Sequence, residues 1–233
     1  MTTSAPSPDR IARLQEVVRE VSCGRDPDVT LQRFTAAMND LYGPQTSIVV
    51  RVVEDDPGAY VVRRLIDGEG EPVIESADPW APIGDEVVHR GGFLGPILEA
   101  GRAARLTHID IPPDAVFGER LADCHAAVAL PYYEQGEVLF WVFLLHPDPD
   151  HFDEREFETM LLRVNVMGGM LRTQRLNRDL DRALEWIQNE IEQIARVQRS
   201  LLPREMPRIK GVDVAARWET FDQAGGDYYD FLP

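Results

Sequence analysis

Residues 126–145 read AAVALPYYEQGEVLFWVFLL, two apolar runs separated by a short polar turn. The runs from Ala126 to Tyr133 and from Glu137 to Leu145 have the length of strands, and Gln135-Gly136 joins them. Because the second run is apolar at nearly every position, it is typical of a strand that is covered on both faces. The sequence therefore predicts two neighbouring strands inside a layered fold.

Helices and strands are both predicted on the N-terminal side of this pair. Apolar residues at Ile11, Leu14, Val18 and Val21 recur at the spacing of one helical stripe. β-Branched residues indicate a strand from Thr46 to Val53, and the run from Tyr60 to Ile66 is its natural partner. The other predicted elements are helices from Thr30 to Leu41, Leu94 to Ala100 and Ala115 to Ala122.

The composition excludes several classes of protein. Of 233 residues, 44% are hydrophobic and 27% are charged, which is ordinary for a globular protein. The formal net charge of −16 argues against binding to nucleic acid, which requires a basic face, and against docking on anionic lipid. The strongest apolar run, from Val138 to Leu145, is far shorter than the ~20 residues of a membrane helix. We therefore expect no nucleic-acid partner and no membrane partner.

The two cysteines, Cys23 and Cys124, are too few for a disulfide framework and fit a reducing compartment. Nothing at the N-terminus resembles a secretion signal. The chain is therefore expected to be cytoplasmic, and Cys124 is expected to be a small buried apolar group.

A single long helix is predicted after residue 152. Asp153 and Glu156 have the spacing of a capping box, and Phe152 precedes them as a hydrophobic staple. No proline follows until Pro203, a span of about 50 residues or ~70 Å at 1.5 Å per residue.

The second half of this helix carries a heptad pattern. Its apolar positions are Leu180, Leu184, Ile187, Ile191, Ile194 and Leu201, with Gln198 in the remaining position. A heptad seam implies a partner helix, so we expect a parallel homodimer through residues 153–202. The alternative is an amphipathic helix that lies on its own domain.

Gly168 and Gly169 lie inside the predicted helix. Each interior glycine lowers helix stability by about 1 kcal/mol relative to alanine, so the presence of two requires an explanation. Close packing against the sheet and a flexible point in the helix remain equally open.

Residues 10–175 resemble a GAF domain, a small sensory module. The resemblance is carried by Ala126–Tyr133, by Gly136-Glu137-Val138 and by the acidic helix start from Phe152 to Phe157. It implies an α+β fold with an antiparallel sheet, helices on one face and a small-molecule pocket under the middle loops on the other. Candidate lining residues, for which plain core is the alternative, are Trp80, Phe93, Phe117 and Trp141. The middle loops lack a cysteine to attach a bilin, and the five histidines lack the spacing of haem or iron ligands.

The last 35 or so residues carry a second resemblance. Gln198-Arg199-Ser200-Leu201-Leu202-Pro203 is followed by Pro207, by Gly211–Ala215 and by Gly225-Gly226-Asp227-Tyr228-Tyr229-Asp230-Phe231. These motifs are similar to the start of the PPM-type serine phosphatases of the bacterial sporulation and sigma-factor-control group. The sequence departs from that family at Thr220-Phe221, where Pro-Ala is usual, and at Ala224, where valine is usual.

The second resemblance implies phosphoserine hydrolysis by two divalent cations, Mn²⁺ or Mg²⁺, that activate a bridging water. Asp227 would be a metal ligand and Asp230 a structural residue. In that family the other metal-binding carboxylates lie well downstream of this motif and have no counterpart in this chain, so the resemblance assigns no catalytic and no cofactor-binding residue here. We expect this chain to be inactive and to bind Mn²⁺ weakly.

The sequence therefore predicts four segments and one regulatory function. The segments are a disordered tail (1–8), a GAF-like sensor (9–152), a long coiled-coil helix (153–202) and the extended start of a phosphatase domain (203–233). The parent enzyme would act on a phosphoserine of a small regulatory protein, such as an anti-sigma-factor antagonist. The sequence that surrounds Gly225-Gly226-Asp227 does not fit a diguanylate cyclase. A histidine kinase would need a phosphoacceptor histidine on the long helix, and no histidine follows His151. The remaining alternative is a non-enzymatic GAF adaptor that binds a small molecule.

Overall fold

The computed structural model describes residues 8–24, 26–75, 78–220, 224–225 and 227–231. The chain divides into two compact units, Met1–Arg175 and Leu176–Pro233. The helices within the described residues are α1 (Pro8–Cys23), α2 (Pro27–Tyr42), α3 (Gly95–Ala100) and α4 (Glu154–Leu201). The strands there are β1 (Thr46–Val53), β2 (Asp56–Ile66), β3 (Pro72–Glu75), β4 (His89–Arg90), β5 (Ala104–Thr107), β6 (Ala126–Glu134) and β7 (Glu137–His146). Helix α4 begins in the first unit and ends in the second.

The first unit is built on one antiparallel sheet. Its strand order is β3-β2-β1-β7-β6-β5, and β4 pairs with the outer part of β2. Strands β6 and β7 form the hairpin that the sequence predicts, with Glu134 opposite Glu137. Both turn residues have positive φ, 53° at Gln135 and 91° at Gly136, which matches the right-handed twist of a two-residue hairpin. The predicted α+β class, an antiparallel sheet with flanking helices and a long C-terminal helix, is confirmed.

The two faces of the sheet are covered differently. The loop-covered face holds the largest core cluster, in which Trp141 and Phe143 of β7 pack with Leu98 of α3 and Phe117 of the following loop. The helix-covered face packs against α1, α2 and the first half of α4. Its clusters include Val21 of α1, Ala37 of α2, and Phe152 and Met160 at the start of α4. Strand β7 is thus covered on both faces, as its continuous apolar run predicts.

The start of α4 is as predicted. The Asp153 carboxylate accepts a hydrogen bond from the Glu156 N–H at 2.7 Å, and Phe152 is buried beside the cap.

The helix predicted from Ala115 to Ala122 is wrong. Residues 114–123 form turns instead, because the Asp114 carboxylate accepts hydrogen bonds from the N–H groups of Val116 (2.9 Å) and Phe117 (2.7 Å). Asp114 and Gly118 also exchange backbone hydrogen bonds, and Gly118 has a φ of 60°. This local capture of N–H groups by an aspartate competes with a helix. The sequence pattern of apolar residues at Val116, Phe117 and Leu121 reflects burial rather than helical periodicity.

Gly168 and Gly169 of α4 differ in their surroundings. For Gly168, the structure decides between the two interpretations, which were close packing against the sheet and a flexible point in the helix. A Cβ at Gly168 would lie 2.3 Å from Cε2 of Tyr132, whereas a Cβ at Gly169 would meet nothing within 4 Å. The Tyr132 ring is buried, stacks on Phe140 with 4.5 Å between ring centroids, and meets the edge of Trp80. Gly168 is therefore required by close packing of α4 against β6.

This difference gives a matched pair of substitutions. Gly168→Ala is expected to lower the free energy of unfolding by about 1–2 kcal/mol, because overpacking costs roughly 1–3 kcal/mol and the gain in helix propensity offsets only part of it. Gly169→Ala is expected to raise it by about 1 kcal/mol, because only the helix propensity changes. Urea denaturation followed by circular dichroism measures both. Equal effects of the two alanines would contradict the packing argument.

Tyr60 of β2 gives a second expectation, for alkaline pH. Its side chain is buried in the core of the loop-covered face, and its hydroxyl donates to the Gly91 carbonyl at 3.4 Å. Burial raises the pKa of Tyr60 to about 12, above the value of about 10 in an unfolded chain. A raised pKa in the folded state stabilises the fold below pH 10, and this contribution is lost as the pH rises from 10 to 12.

The free energy of unfolding is therefore expected to fall with pH more steeply in the unaltered protein than in Tyr60→Phe. The extra loss is about 2 kcal/mol between pH 9 and pH 11.5, measured by urea denaturation. Parallel pH profiles for the two proteins would show that Tyr60 is solvated.

Candidate functional site

A cavity of about 730 Å³ lies on the helix-covered face of the sheet, within the first unit. Helix α2, the first half of α4, strands β1, β2 and β7, and residues 78–80 contribute to its walls. Most of the lining is apolar: Leu31, Phe34, Met38, Val49, Ile66, Phe140, Val142, Leu144, Val164, Met167 and Leu171. The size and the apolar lining are those of small-molecule sites.

A few polar side chains interrupt this apolar lining. The neutral ones are Gln32, Thr35, Asn39, Gln45 and Ser47, and the charged ones are Asp28, Arg63, Arg64, Asp78 and Arg175. Three arginine residues therefore line one cavity, and two of them, Arg63 and Arg175, form ion pairs with carboxylates.

Arg63 owes its position to an irregularity in the sheet. Val49 of β1 pairs with Arg64 and Val50 pairs with Val62, so Arg63 is the extra residue of a β-bulge. Its side chain is only 2% exposed. The guanidinium donates to the carbonyls of Ala81 and Pro82, both at 3.1 Å, and pairs with Glu86. Arg63 thereby holds residues 81–86 over the edge of the cavity.

Arg175 joins three parts of the first unit. Its guanidinium donates to Asp28 of α2 at 3.0 Å, pairs with Asp78 of the loop, and lies 5.2 Å from the centroid of the Trp80 ring. The position of Arg175 on α4 thus connects the cavity wall with the helix that leaves this unit.

Several buried polar atoms of the lining make no hydrogen bond to the residues that the structure describes. They include Nε of Arg63, Nε of Arg175, Oε1 of Gln45 and Nε1 of Trp80. Buried polar groups without a partner cost about 1–3 kcal/mol each, and more for charged groups. Such groups are uncommon in folded proteins.

The position of the cavity differs from the predicted pocket. Of the four aromatic residues named from the sequence, only Trp80 lines the cavity. Phe117 and Trp141 are buried in the core of the loop-covered face, and Phe93 packs against that core. That face is filled by side chains that converge from β1, β2, β7 and the middle loops, so these three aromatic residues are core rather than lining.

Cys124 lies in the same core, as predicted, and burial raises the pKa of its thiol. Among the residues that the structure describes, no group of three or more histidine, cysteine, aspartate or glutamate side chains could hold a metal ion.

The second unit contains the heptad seam and the C-terminal motif. Leu180, Leu184, Ile187, Ile194 and Leu201 are between 45% and 61% exposed. Gln198, the polar member of the seam, pairs its side-chain amide with the backbone of Gly225. Its Nε2 donates to the Gly225 carbonyl at 2.6 Å, and its Oε1 accepts from the Gly225 N–H at 3.0 Å. The sequence predicts Gln198 as a seam residue but gives no signal for this contact.

Asp227 and Asp230 have different surroundings. The Asp227 side chain is exposed, and its backbone carbonyl accepts a hydrogen bond from Nε1 of Trp218 at 2.9 Å. Asp230 accepts hydrogen bonds through both carboxylate oxygens, from the Tyr228 hydroxyl at 3.1 Å and from the Phe231 N–H at 2.8 Å. Among the described residues no hydrogen bond engages the Asp227 carboxylate, so it is available to a ligand, whereas Asp230 stabilises a local turn.

No helix in the described ranges combines the length and the apolar character that crossing a membrane requires.

Comparison with solved structures supports the fold. The chain is similar to the GAF domain of a phosphoenolpyruvate-protein phosphotransferase from Coxiella burnetii, with 16% identity over 73% of this chain and 96% of that one, at a TM-score of 0.49. The GAF domain of the phosphoenolpyruvate-protein phosphotransferase from Acinetobacter has 14% identity over 75% of this chain and 99% of that one, at a TM-score of 0.46. The bacteriophytochrome RpBphP3 from R. palustris gives 8% identity over 84% of this chain and 44% of that one, at a TM-score of 0.53. No family model and no curated protein matches the chain.

The class that follows is a protein with a GAF-type α+β fold, to which a long helix is attached. At these identities the likeness shows the fold alone. What the protein does has to be argued from its own residues.

Proposed function

We propose that the first unit is the sensor of a metal-dependent protein serine phosphatase and that α4 dimerises and transmits the signal. The observation that carries the proposal is the course of α4. This helix lines the cavity with Val164, Met167 and Leu171, continues without a break, and presents Gln198 to the Gly225 backbone. One helix thus has residues at the cavity of the first unit and residues that contact the segment carrying Asp227 in the second unit.

In this proposal two copies of α4 pair in parallel through the seam, in the cytoplasm of a bacterium. A ligand in the cavity changes the packing of the first half of α4, and the pairing of the second half responds. The hydrogen bonds of Gln198 to Gly225 then move the segment that contains Asp227. The substrate is a phosphoserine of a small regulatory protein such as an anti-sigma-factor antagonist, which rests on the motif resemblance.

The metal site is only partly represented in the described residues. Asp227 can supply one oxygen ligand to Mn²⁺ or Mg²⁺, but no group of three ligands accompanies it there. One carboxylate cannot build a two-metal site, so the described residues do not support a catalytic step.

The test is an assay of the full-length gene product with a phosphoserine peptide and Mn²⁺. Hydrolysis that requires the metal supports the phosphatase assignment. A dimer that binds a small molecule but hydrolyses no phosphoserine substrate would favour the non-enzymatic GAF adaptor instead.

A further inference from the structure

We propose that the cavity on the helix-covered face binds an uncharged amphiphile: an apolar molecule with one neutral head group, such as a hydroxyl or a primary amide, that both donates and accepts hydrogen bonds. The inference rests on the proposed sensory role of the first unit and names the chemistry of its ligand. Three properties of the cavity support it: its apolar walls, its balanced charge and its accessible neutral polar side chains.

The walls of the cavity favour an apolar body. Apolar side chains line it from α2, from the sheet and from α4, among them Phe34, Val142 and Val164, which are all half-buried. A ligand that is polar throughout would lose its hydration against such walls without gaining hydrogen bonds. An apolar body gains from burial instead, and a volume of about 730 Å³ is in the range of small-molecule sites.

The charges at the cavity balance one another. Arg175 pairs with Asp28 and Asp78, the two acidic residues of the lining. Arg63 pairs with Glu86. The lining has three arginines in all, and these two groups of ion pairs contain three carboxylates. An ionic ligand would therefore lose hydration in the cavity without meeting an excess of the opposite charge among the described residues.

Three neutral polar side chains of the lining are accessible to a ligand. They are those of Thr35 and Asn39, one turn apart on α2, and of Ser47 near the start of β1. The three residues are half-buried, their polar atoms are not fully enclosed, and no hydrogen bond joins these side chains to the described residues. Hydroxyl and carboxamide groups both donate and accept, so they suit a neutral head group that does the same.

The ion pairs and the neutral polar group lie toward opposite ends of α2. Asp28 is close to the first residue of this helix and Asn39 is close to the last, so their backbones are about 16 Å apart at 1.5 Å per residue. Leu31, Phe34 and Met38 line the cavity between them. The head group of the ligand therefore lies at the Asn39 end, and its apolar body lies along the middle of α2.

Isothermal titration of four probes with the same eight-carbon chain tests the head-group chemistry on this chain at neutral pH. The probes are octan-1-ol, octyl methyl ether, octanoate and octylammonium. We expect octan-1-ol to bind 1:1 per chain and at least about tenfold more tightly than either ion, because the ions would be desolvated without compensation. The ether accepts hydrogen bonds but does not donate them, so it should bind about three- to tenfold more weakly than the alcohol.

Three results of this titration would overturn the proposal. They are the absence of octan-1-ol binding, binding of octanoate or octylammonium as tight as that of the alcohol, and equal affinity for the alcohol and the ether.

Two variants of α2 locate the body and the head group. Thr35→Phe fills the cavity and should abolish binding of the alcohol and the ether, whereas Ala36→Phe adds the same ring at an exposed position outside the lining and should not. Asn39→Leu removes a partner of the head group, so the alcohol should lose about three- to tenfold in affinity while the ether loses less. Asn177→Leu, at an exposed position outside the lining, is its control and should change neither affinity.

Asp78→Asn tests the charge balance. It removes one carboxylate from Arg175, while the asparagine oxygen can still accept from the Trp80 N–H, as the Asp78 carboxylate does at 2.9 Å. The disadvantage of octanoate relative to the alcohol should fall about threefold or more, and that of octylammonium should rise. Asp181→Asn, at an exposed position outside the lining, should change neither ratio. Unchanged ratios in Asp78→Asn would refute the argument from charge.

Circular dichroism verifies that each variant is folded. If Thr35→Phe does not fold, Asn39→Leu and Asp78→Asn still test the site. Unchanged binding in every folded variant of the lining would show that the alcohol binds elsewhere and would overturn the proposal. These titrations require neither a dimer nor phosphatase activity, so their failure would remove the ligand assignment alone. The phosphoserine assay of the full-length gene product separately decides the proposed function.

Discussion

Replacing both Ile187 and Ile191 with lysine is expected to produce monomers, whereas the unaltered protein is expected to be a dimer. Ile187 is 47% exposed and Ile191 is half-buried, and both lie in the seam with Leu184 and Ile194. Full burial of a large aliphatic side chain contributes about 1.5–3 kcal/mol, and a seam buries several from each copy. Two lysines remove two such contributions per chain and place four like charges across the same contact.

Light scattering coupled to size-exclusion chromatography measures the mass of both proteins. The matched control is Asn189→Lys with Gln193→Lys, which adds the same charge at exposed positions outside the seam and should leave the dimer intact. Circular dichroism should show that both double variants keep the first unit folded. A lysine variant in the seam that retained the mass of a dimer would mean that these isoleucines do not form the contact. An unaltered protein that is monomeric at high concentration would refute the transmission scheme as a whole.

Much of the fold could be predicted because its signals are local. The hairpin of β6 and β7 follows from two apolar runs with Gln135-Gly136 between them, and positive φ at both residues explains that dipeptide. The start of α4 follows from Asp153 and Glu156, which form a hydrogen bond within one helical turn. In both cases the deciding interactions lie within a few residues of one another.

The false helix after residue 114 shows where local patterns fail. The apolar spacing there fits a helix, but a single aspartate side chain that binds two backbone N–H groups decides the conformation. Whether an aspartate caps a helix or closes a turn depends on the backbone beyond it, here on Gly118 at positive φ. Apolar spacing carries no information on that choice.

The cavity could not be predicted for a different reason. Its walls come from α2, three strands and α4, which are far apart in the chain, and the position of Arg63 depends on a one-residue shift in the pairing of β1 with β2. A shift of one residue moves a side chain to the other face of a sheet, and the sequence does not reveal where it occurs. The cavity therefore lies on the opposite face of the sheet from the predicted pocket, and a small-molecule ligand stays a prediction.

The contact of Gln198 with Gly225 also could not be predicted from the sequence. In the heptad pattern Gln198 is a polar residue among apolar ones, which usually indicates selection of register in a coiled coil. In the second unit its amide occupies both hydrogen-bonding groups of Gly225. A Cβ at Gly225 would lie 2.6 Å from Cγ2 of Thr220, so the glycine is needed for the backbone to pass there. The seam and the motif that contains Asp227 are thereby one structural unit.

Under the proposed phosphatase function, Asp227→Asn is expected to lower the rate of phosphoserine hydrolysis by about 100-fold or more, whereas Asp230→Asn is expected to retain most of it. The Asp227 carboxylate is exposed and makes no hydrogen bond to the described residues, so its oxygens are accessible to a metal ion. Its replacement by a neutral amide removes a charged oxygen ligand, and the electrostatic stabilisation by a catalytic metal amounts to several kcal/mol. Asp230 instead holds Tyr228 and the Phe231 N–H, and an asparagine oxygen can still accept one of these hydrogen bonds.

Initial rates on a phosphoserine peptide at several Mn²⁺ concentrations distinguish the two roles. A lost metal ligand should leave a residual rate that rises with added Mn²⁺, whereas a folding defect should not respond to the metal. The chain of 233 residues is expected to bind Mn²⁺ only weakly, because one carboxylate cannot satisfy six-coordinate oxygen ligation. Tight stoichiometric Mn²⁺ binding to this chain by isothermal titration, or equal losses of activity in Asp227→Asn and Asp230→Asn, would show that the metal is held in another way. Equal losses in the two variants would remove Asp227 from the metal site, and with it the chemical basis for linking the GAF fold to a phosphatase.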